Sequence, residues 1–234
     1  MPAEANAAFV WRMEDVLEVY SRLYDPRFPQ VCLDESAKHL LQEKRESLPL
    51  PSGKPERVDY PFEPAGMCKL RRACEPLAGK RFVKVPQRRT SQDWAFFIRE
   101  LVDIHYPNAE QMVLVMDHLN TPTPSSLYQT FAPAEARRLL SKLEIHYTPV
   151  HGSWLKMAEI EWSALARQCL SRRIGTREEL HREVQTWQRR RHEEAITVNW
   201  RFTTADARIK LKRLYPSLDP RKRSSKKNTV AKKA

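Results

Sequence analysis

The feature that most constrains the fold is the run Gln111-Met-Val-Leu-Val-Met-Asp117, the most hydrophobic stretch of the chain. Turn-forming residues bound it on both sides, with Pro107-Asn108 before it and Thr121-Pro-Thr-Pro124 after it. A short apolar run between turn signals is typical of a strand that is buried on both faces. The sequence therefore predicts a central buried strand, and this strand ends on an acid, Asp117.

The rest of the chain predicts strands and helices that can surround this strand. Short strands are expected at residues 30–35 and 144–148, and a hairpin at 67–74 and 81–85, after a polar surface loop at 42–65. Helices are expected at residues 11–24, 91–106, within 125–143, from about Trp154, and at 176–191 and 202–214. The order of these elements predicts an α/β fold, with helices flanking a mixed sheet and a basic helical extension at the C-terminus.

The charge balance narrows the class of partner. Lys and Arg outnumber Asp and Glu by 41 to 29, and the formal net charge of +12 favours nucleic acid. No apolar run approaches a membrane-spanning length, and the first ten residues lack the pattern of a signal peptide. We therefore predict a cytoplasmic protein with no membrane partner. The four cysteines form no Cys-x-x-Cys pair and are predicted to be core thiols.

Three acids stand where a catalytic site could form. Asp34 and Asp117 end predicted strands, and Glu159 lies in the second turn of the helix expected from Trp154. Strand ends line the ligand crevice of an open α/β sheet, so the three carboxylates could converge into an oxygen-only site suited to Mg²⁺. Two such ions about 3.5–4 Å apart support phosphoryl transfer to nucleic acid. Periodicity does not separate Glu159 from Glu161, and an ordinary solvated acid is the alternative for either.

Two groups of basic residues could hold a DNA backbone. The second strand of the hairpin and the residues after it carry Lys80, Arg81, Lys84, Arg88 and Arg89. The helix at 176–191 ends on the cluster Arg189, Arg190 and Arg191. We predict that both groups contact DNA phosphates, and the alternative is that they form merely solvated faces.

Three motifs in this chain resemble the acidic motifs of mariner-like DDE transposases, specifically the bacterial insertion-sequence branch called IS-six-thirty. They are Val31-Cys-Leu-Asp-Glu35, Val113-Leu-Val-Met-Asp117 with Leu119-Asn-Thr121, and His146-Tyr-Thr-Pro-Val-His-Gly-Ser-Trp-Leu-Lys-Met-Ala-Glu159. Cys74-Glu-Pro-Leu-Ala-Gly79 and residues 199–215 are also similar to that family. The resemblance extends from about Met13 to Pro216.

The resemblance implies a ribonuclease-H-like catalytic domain at residues 26–172. A linker-like N-terminal helix at 1–25 would precede it, and a basic helical annex at 173–216 and a disordered basic tail at 217–234 would follow it. Members use two Mg²⁺ ions, for which Mn²⁺ can substitute. The family pattern assigns the metal ligands to Asp34, Asp117 and Glu159, and so selects Glu159 over Glu161. Asn120 would brace Asp117 or approach the phosphate.

The implied activity is DNA transposition of an insertion sequence. Members cleave DNA at the ends of their own element and join the freed 3′-hydroxyl to target DNA, typically at a TA dinucleotide. The implied partners are therefore element-end DNA and target DNA, and the implied assembly is a homodimer in a synaptic complex. The implied location is the bacterial cytoplasm, in association with the nucleoid.

Four departures from the family pattern predict a weakened copy. Little precedes the first motif, whereas the family carries a helix-turn-helix region there, so a truncated copy without that region is expected. Arg71 and Arg72 stand in a strand that is usually apolar, and buried charges require partners. Lys156 replaces a usual Asn, and Val150 replaces a usual Lys. Two alternatives stay open: a catalytically inactive transposon remnant that acts only as a basic DNA-binding protein, and a host nuclease on the same fold.

Overall fold

A mixed five-stranded sheet forms the centre of the molecule, with the strand order β3-β2-β1-β4-β5. The computed structural model describes residues 5–43, 62–86, 91–117 and 123–217 of the 234-residue chain. The strands are β1 (Gln30–Glu43), β2 (Phe62–Glu75), β3 (Lys80–Lys84), β4 (Met112–Asp117) and β5 (Leu143–Thr148). The β1–β2 and β2–β3 pairs are antiparallel, and the β1–β4 and β4–β5 pairs are parallel. The predicted mixed sheet is therefore confirmed.

Helices cover both faces of this sheet. They are α1 (Ala7–Ser21), α2 (Ser91–Glu100), α3 (Ser125–Thr130), α4 (Pro133–Ser141), α5 (Met157–Gln168), α6 (Arg177–Glu193) and α7 (Thr204–Lys210). A π-helical turn extends α2 through His105. The stretch expected to be helical within 125–143 contains two helices, and Pro133 begins the second one, because proline fits a first turn and not a helix interior. The side chains of Asn6, Thr176 and Thr203 cap α1, α6 and α7.

Strand β1 is longer than its apolar part predicts. The expected strand stopped at Glu35, whereas β1 continues to Glu43 in antiparallel pairing with β2. Opposite charges face each other across this pair, since Asp34 lies opposite Arg72 and Glu35 lies opposite Arg71. Such cross-strand pairs stabilise a strand whose own sequence carries little hydrophobic signal.

Successive residues of the central strands enter different cores, as expected for side chains that alternate between two faces. On one face, Leu114 and Met116 pack with residues of α2, α3 and α4, among them the buried Trp94. On the other face, Val113 and Val115 pack with residues of α1, α5 and α7. Each of the four cysteines is a buried free thiol, as predicted. Among the described residues, no helix has the length and apolar character that a membrane span requires.

A third core attaches α6 to the hairpin strands. Leu180, Val184 and Trp187 of α6 are buried against Leu70 and Val83 of β2 and β3. The helical C-terminal part of the chain is thus packed onto the sheet through both α6 and α7. The boundaries near residues 25, 172 and 216 stay predictions, and residues 218–234 of the basic tail lie outside the described ranges.

Candidate active site

Asp34 and Asp117 lie on neighbouring parallel strands at the same edge of the sheet. The described β1–β4 register ends with Leu33 opposite Met116, and each aspartate is the next residue of its strand. Asp117 is also the last residue of β4, where it pairs with Thr148, the last residue of β5. Asp34 lies within β1, which continues to Glu43, so both aspartates lie where the parallel pairing of β1 with β4 ends. Ligand sites in open α/β sheets usually lie beside such strand ends.

Glu159 reaches the same edge from the first turn of α5. A 3-10 turn at Ser153–Leu155 precedes this helix, and Lys156 then adopts an extended backbone with φ −85° and ψ 103°. The helix expected from about Trp154 is therefore divided into a 3-10 turn and α5, and the predicted second-turn position of Glu159 is wrong, because Glu159 lies in the first turn of α5. The first turn favours a carboxylate, because unpaired backbone N–H groups and the positive end of the helix dipole lie there.

The side chain of Lys156 links two of these acids directly. Its Nζ donates a hydrogen bond to Oδ2 of Asp117 at 2.6 Å and lies 3.8 Å from Oε1 of Glu159. The Lys156 side chain is only 15% exposed. Burial raises the pKa of the Asp34 carboxyl, and the charge of Lys156 opposes that rise. One ammonium group thus faces all three acids.

Arg72 supplies a second positive charge beneath Asp34. Its side chain is fully buried, with Nη2 3.7 Å from Oδ2 of Asp34. The same guanidinium donates a hydrogen bond to the backbone carbonyl of Ala158 and lies 5.2 Å from the ring centroid of Trp162. The neighbouring Arg71 is paired with Glu35, with Nε 2.5 Å from Oε1. Both arginines that depart from an apolar strand therefore have acidic partners.

The pKa values reflect the crowding of the acids. Burial raises the pKa of the Asp34 carboxyl, Arg72 and Lys156 oppose this rise, and Asp117 adds to it, with a raised value overall. The pKa of Glu159 is also raised, mainly by burial, with Asp34 and Asp117 adding to the rise and Lys156 opposing it. The acids are therefore close enough to repel one another, and the two cations offset part of that repulsion.

The donor chemistry of this site fits a hard divalent cation. Asp34, Asp117 and Glu159 offer carboxylate oxygens only, which Mg²⁺ and Mn²⁺ prefer. As arranged, the described residues contain no group of three His, Cys, Asp or Glu side chains placed to hold a metal ion. At Asp117, the Lys156 ammonium occupies Oδ2, one of the two carboxylate oxygens that could bind a metal ion.

Glu161, the rival of Glu159 in the sequence, belongs to a different environment. It is 2% exposed, and it accepts hydrogen bonds from Nε of Arg81 at 2.7 Å and from Nη2 of Arg81 at 2.8 Å. A second guanidinium, that of Arg191, lies 3.6 Å from Oε1 of Glu161. Two residues apart on a helix, Glu159 and Glu161 point in widely different directions.

The pairing with Glu161 corrects the prediction that Arg81 and Arg191 bind DNA. Arg81 and Arg191 are 1% and 6% exposed, so their guanidinium groups pair with Glu161 in the interior and are not available to a DNA backbone. Arg81 lies next to the exposed Lys80 on β3 and points to the opposite face, whereas Arg191 is a buried residue of α6.

Some of the other basic residues predicted to bind DNA are exposed or partly exposed, and the rest lie outside the residues that the structure describes. Lys80 and Lys84 are partly exposed and lie near the carboxylates of Glu75 and Glu100. Arg189 and Arg190 are exposed on α6. The remaining predicted site residues lie outside the described residues: Arg88, Arg89 and Asn120.

Sequence reasoning missed the part that Lys156 and Arg72 play at the acids. Both residues were visible only as departures from a pattern, and their partners are distant in sequence. The pairing of Lys156 with Asp117 spans 39 residues, and the contact of Arg72 with Ala158 spans 86.

The part of the chain that contains the three acids matches a known protein family. Residues 29–181 match the family described as DDE superfamily endonuclease. A search of curated proteins found no match.

Among solved structures, the chain is similar to complexes of Mos1. The Mos1 strand transfer complex has a TM-score of 0.53 and 13% identity, over 84% of this chain and 58% of that chain. The Mos1 mariner paired end complex with Mn has a TM-score of 0.53 and 14% identity, over 93% of this chain and 66% of that chain. The corresponding complex with Mg has a TM-score of 0.51 and 13% identity, with the same coverage. The chain thus spans about 58–66% of the length of these proteins, and it shares their ribonuclease-H-like fold.

Proposed function

The chain belongs to the DDE superfamily endonuclease family, and from that premise we propose that it is the catalytic part of a mariner-like transposase. Its reaction would be metal-dependent cleavage of DNA and transfer of the freed strand, during transposition of a bacterial insertion sequence of the IS-six-thirty branch. The sequence motifs around Asp34, Asp117 and Glu159 support that branch.

The observation that carries this proposal is the meeting of three acids around one ammonium group. Asp34 and Asp117 extend neighbouring parallel strands, and Glu159 begins α5 beside Lys156. We assign the metal ligands to these three carboxylates. Two bound Mg²⁺ or Mn²⁺ ions would supply activation of a water or 3′-hydroxyl and stabilisation of the leaving oxygen.

The surrounding residues would hold the acids in place. Arg72 lies under Asp34 and ties the end of β2 to α5 through the carbonyl of Ala158. Glu161 fixes α5 against β3 through Arg81, which limits the positions that Glu159 can take. Such buried ion pairs are suited to keeping catalytic carboxylates near one geometry.

The proposed partner is DNA, at element ends and at a target site. The net charge of +12 supports a polyanionic partner. We assign backbone contacts to the partly exposed Lys80 and Lys84 and the exposed Arg189 and Arg190, together with Arg88 and Arg89, and a supporting role to Asn120. The similar Mos1 structures are a strand transfer complex and paired end complexes, which supports a homodimer that joins two DNA ends. The proposed location is the bacterial cytoplasm, at the nucleoid.

One observation favours a second function. The Lys156 ammonium already neutralises Asp117, so a chain that never releases it would bind DNA without cutting it. The second candidate is therefore a catalytically inactive, basic DNA-binding protein.

A cleavage and joining experiment separates these functions. The purified chain would be incubated with supercoiled plasmid and with a labelled duplex that carries a free 3′-hydroxyl end, in Mg²⁺, in Mn²⁺ and in EDTA. Nicking and joining that require the metal, and that the double variant Asp34→Asn/Asp117→Asn lacks, support the transposase. Gel retardation without cleavage supports the inactive binder, and hydrolysis without joining supports a host nuclease; either result overturns the proposal.

A further inference from the structure

Lys156 is the residue of the site whose position bears most directly on metal binding. Its Nζ lies 2.6 Å from Oδ2 of Asp117 and 3.8 Å from Oε1 of Glu159. The side chain is mostly buried, so this is a close contact in a protected setting and not a transient surface pair. A divalent ion held by these acids would compete with the Lys156 ammonium for the negative charge of Asp117 and Glu159.

The two cations of the site differ in how firmly they are held. Arg72 is fully buried, donates to the carbonyl of Ala158 and stacks near Trp162, so its position is fixed by several partners. Within the described part of the chain, the close partners of the Lys156 ammonium are two carboxylates of the site, those of Asp117 and Glu159. Lysine also has a long flexible stem that can carry its charge elsewhere without moving the backbone.

We propose that Lys156 is a tethered competitor of the metal ion, which holds the acid cluster together until a divalent cation displaces its ammonium from Asp117. This inference rests on the proposed function, because it takes Asp34, Asp117 and Glu159 as the metal ligands. Lys156 offsets the mutual repulsion of the three carboxylates when no metal is bound. In exchange, it weakens metal binding, because its hydrogen bond and charge must be given up first.

The consequence is a metal affinity set by one side chain. Replacing Lys156 by glutamine removes the charge but keeps a side chain that can still donate a hydrogen bond. A charge-assisted hydrogen bond of this kind changes an equilibrium constant by about tenfold. Lys156→Gln should therefore bind Mn²⁺ about tenfold more tightly than the unmodified chain.

The test measures Mn²⁺ binding itself, by electron paramagnetic resonance of free Mn²⁺ and by isothermal titration calorimetry, without DNA. The variants are Lys156→Gln, Lys156→Gln/Asp117→Asn and Lys142→Gln. Lys142 is the matched control, because it lies just before the opposite end of β5 and donates to the carbonyl of Ala109. Tighter binding in Lys156→Gln alone, lost when Asp117→Asn is added, is the expected result.

Three results would overturn the inference: unchanged or weaker binding in Lys156→Gln, an equal gain in Lys142→Gln, or a gain that persists in the double variant. The cleavage experiment reports on the proposed function separately. A chain that cleaves DNA while Lys156→Gln gains no affinity refutes the role of Lys156 only. A chain that gains affinity but never cleaves keeps that role and refutes the transposase activity.

Discussion

Glu161 accepts two hydrogen bonds from Arg81, with Nε 2.7 Å from Oε2 and Nη2 2.8 Å from Oε1. Both side chains are almost fully buried, and the guanidinium of Arg191 also approaches Glu161. This contact joins α5, β3 and α6 only two residues from Glu159. A structural acid and a candidate catalytic acid therefore share one helix, and their roles can be separated by experiment.

Removing Glu161 should destabilise the protein strongly. The change Glu161→Ala leaves the charge of Arg81 buried without its partner, and breaking a buried pair in this way typically costs about 3–5 kcal/mol. We expect the free energy of unfolding, measured by urea denaturation, to fall by that amount. Glu18→Ala is the control, because Glu18 is exposed on α1. A loss in Glu161→Ala as small as that in the control would contradict a structural role.

The turn before β3 should also be sensitive to a single methyl group. Gly79 has a φ of +68°, and a Cβ at this position would lie 2.9 Å from the carbonyl carbon of Ala195. Gly79→Ala therefore combines backbone strain of about 1–2 kcal/mol with a steric clash. Gly66→Ala is a matched control, since Gly66 has a φ of +105° and open space around its Cβ position. Thermal unfolding should show a larger loss for Gly79→Ala, and equal losses would count against the clash.

The sequence predicted best those elements whose signal is local. The apolar run of β4 and the alternation in β3 are hydrophobic patterns that a strand carries within itself. The second half of β1 carries no such pattern, since residues such as Lys38 and Gln42 are polar and the strand is stabilised by pairing with β2. The turn before α5 was also missed, because the extended backbone of Lys156 interrupts a stretch with continuous helical periodicity.

In the candidate site too, the sequence predicted local features and missed contacts between distant segments. Asp117 could be predicted because the apolar run of β4 ends there, and Asp34 because the apolar part of β1 ends there, although β1 itself continues to Glu43. The choice between Glu159 and Glu161 could not be made from periodicity, because it depends on Arg81, which lies 80 residues from Glu161. The salt bridge of Lys156 with Asp117 is likewise a contact between distant segments, and nothing in the local sequence predicts it.

The contact between α1 and α7 should depend on pH. Hydrogen bonds from Arg208 and Tyr215, at 2.9 and 2.8 Å, lower the pKa of Glu14 below its usual value of 4.5 despite partial burial. A carboxyl whose folded-state pKa is lowered adds stability above the unfolded pKa and loses it as the pH falls through the folded value. At pH 7, Glu14→Gln should lower the free energy of unfolding by about 0.5–1 kcal/mol.

The difference between Glu14→Gln and the unmodified chain should then shrink as the pH falls below about 4.5, where the unfolded chain takes up the proton, and should vanish below the lowered pKa of the folded state. Urea denaturation at pH 7, 5 and 3 measures this change. A difference that stays constant over this range would indicate that packing, and not the charge of Glu14, links the two helices.

DNA binding should respond to the exposed arginines of α6. Arg189→Glu reverses a positive charge on the surface, and each phosphate contact that is lost flattens the salt dependence of binding by a slope of about 1. Fluorescence anisotropy with a labelled duplex at several salt concentrations gives this slope. Arg137→Glu makes the same change of charge on the exposed surface of α4 and serves as the control. If both variants change the slope equally, α6 has no special part in DNA binding.

Glu159 should be required for activity and not for the fold. Its side chain is 45% exposed, so Glu159→Gln should leave the free energy of unfolding within about 1 kcal/mol of the unmodified chain. Mutation of a residue that hydrogen-bonds to a metal ligand typically lowers activity by about 10- to 100-fold. Loss of a proposed ligand itself should therefore lower Mg²⁺-dependent cleavage by more than about 100-fold. Plasmid nicking tests the expected loss of activity, and urea denaturation of the same samples tests the expected stability.

The comparison with Glu18→Gln excludes a general effect of neutralising an acid, because Glu18 is exposed and lies on α1. Unchanged nicking in Glu159→Gln would remove this residue from the metal site. A loss of nicking that matches a loss of folded protein would give Glu159 a structural role like that of Glu161. Only a stable, inactive Glu159→Gln separates the two acids of α5, because one faces the lysine between the aspartates and the other faces the buried arginines.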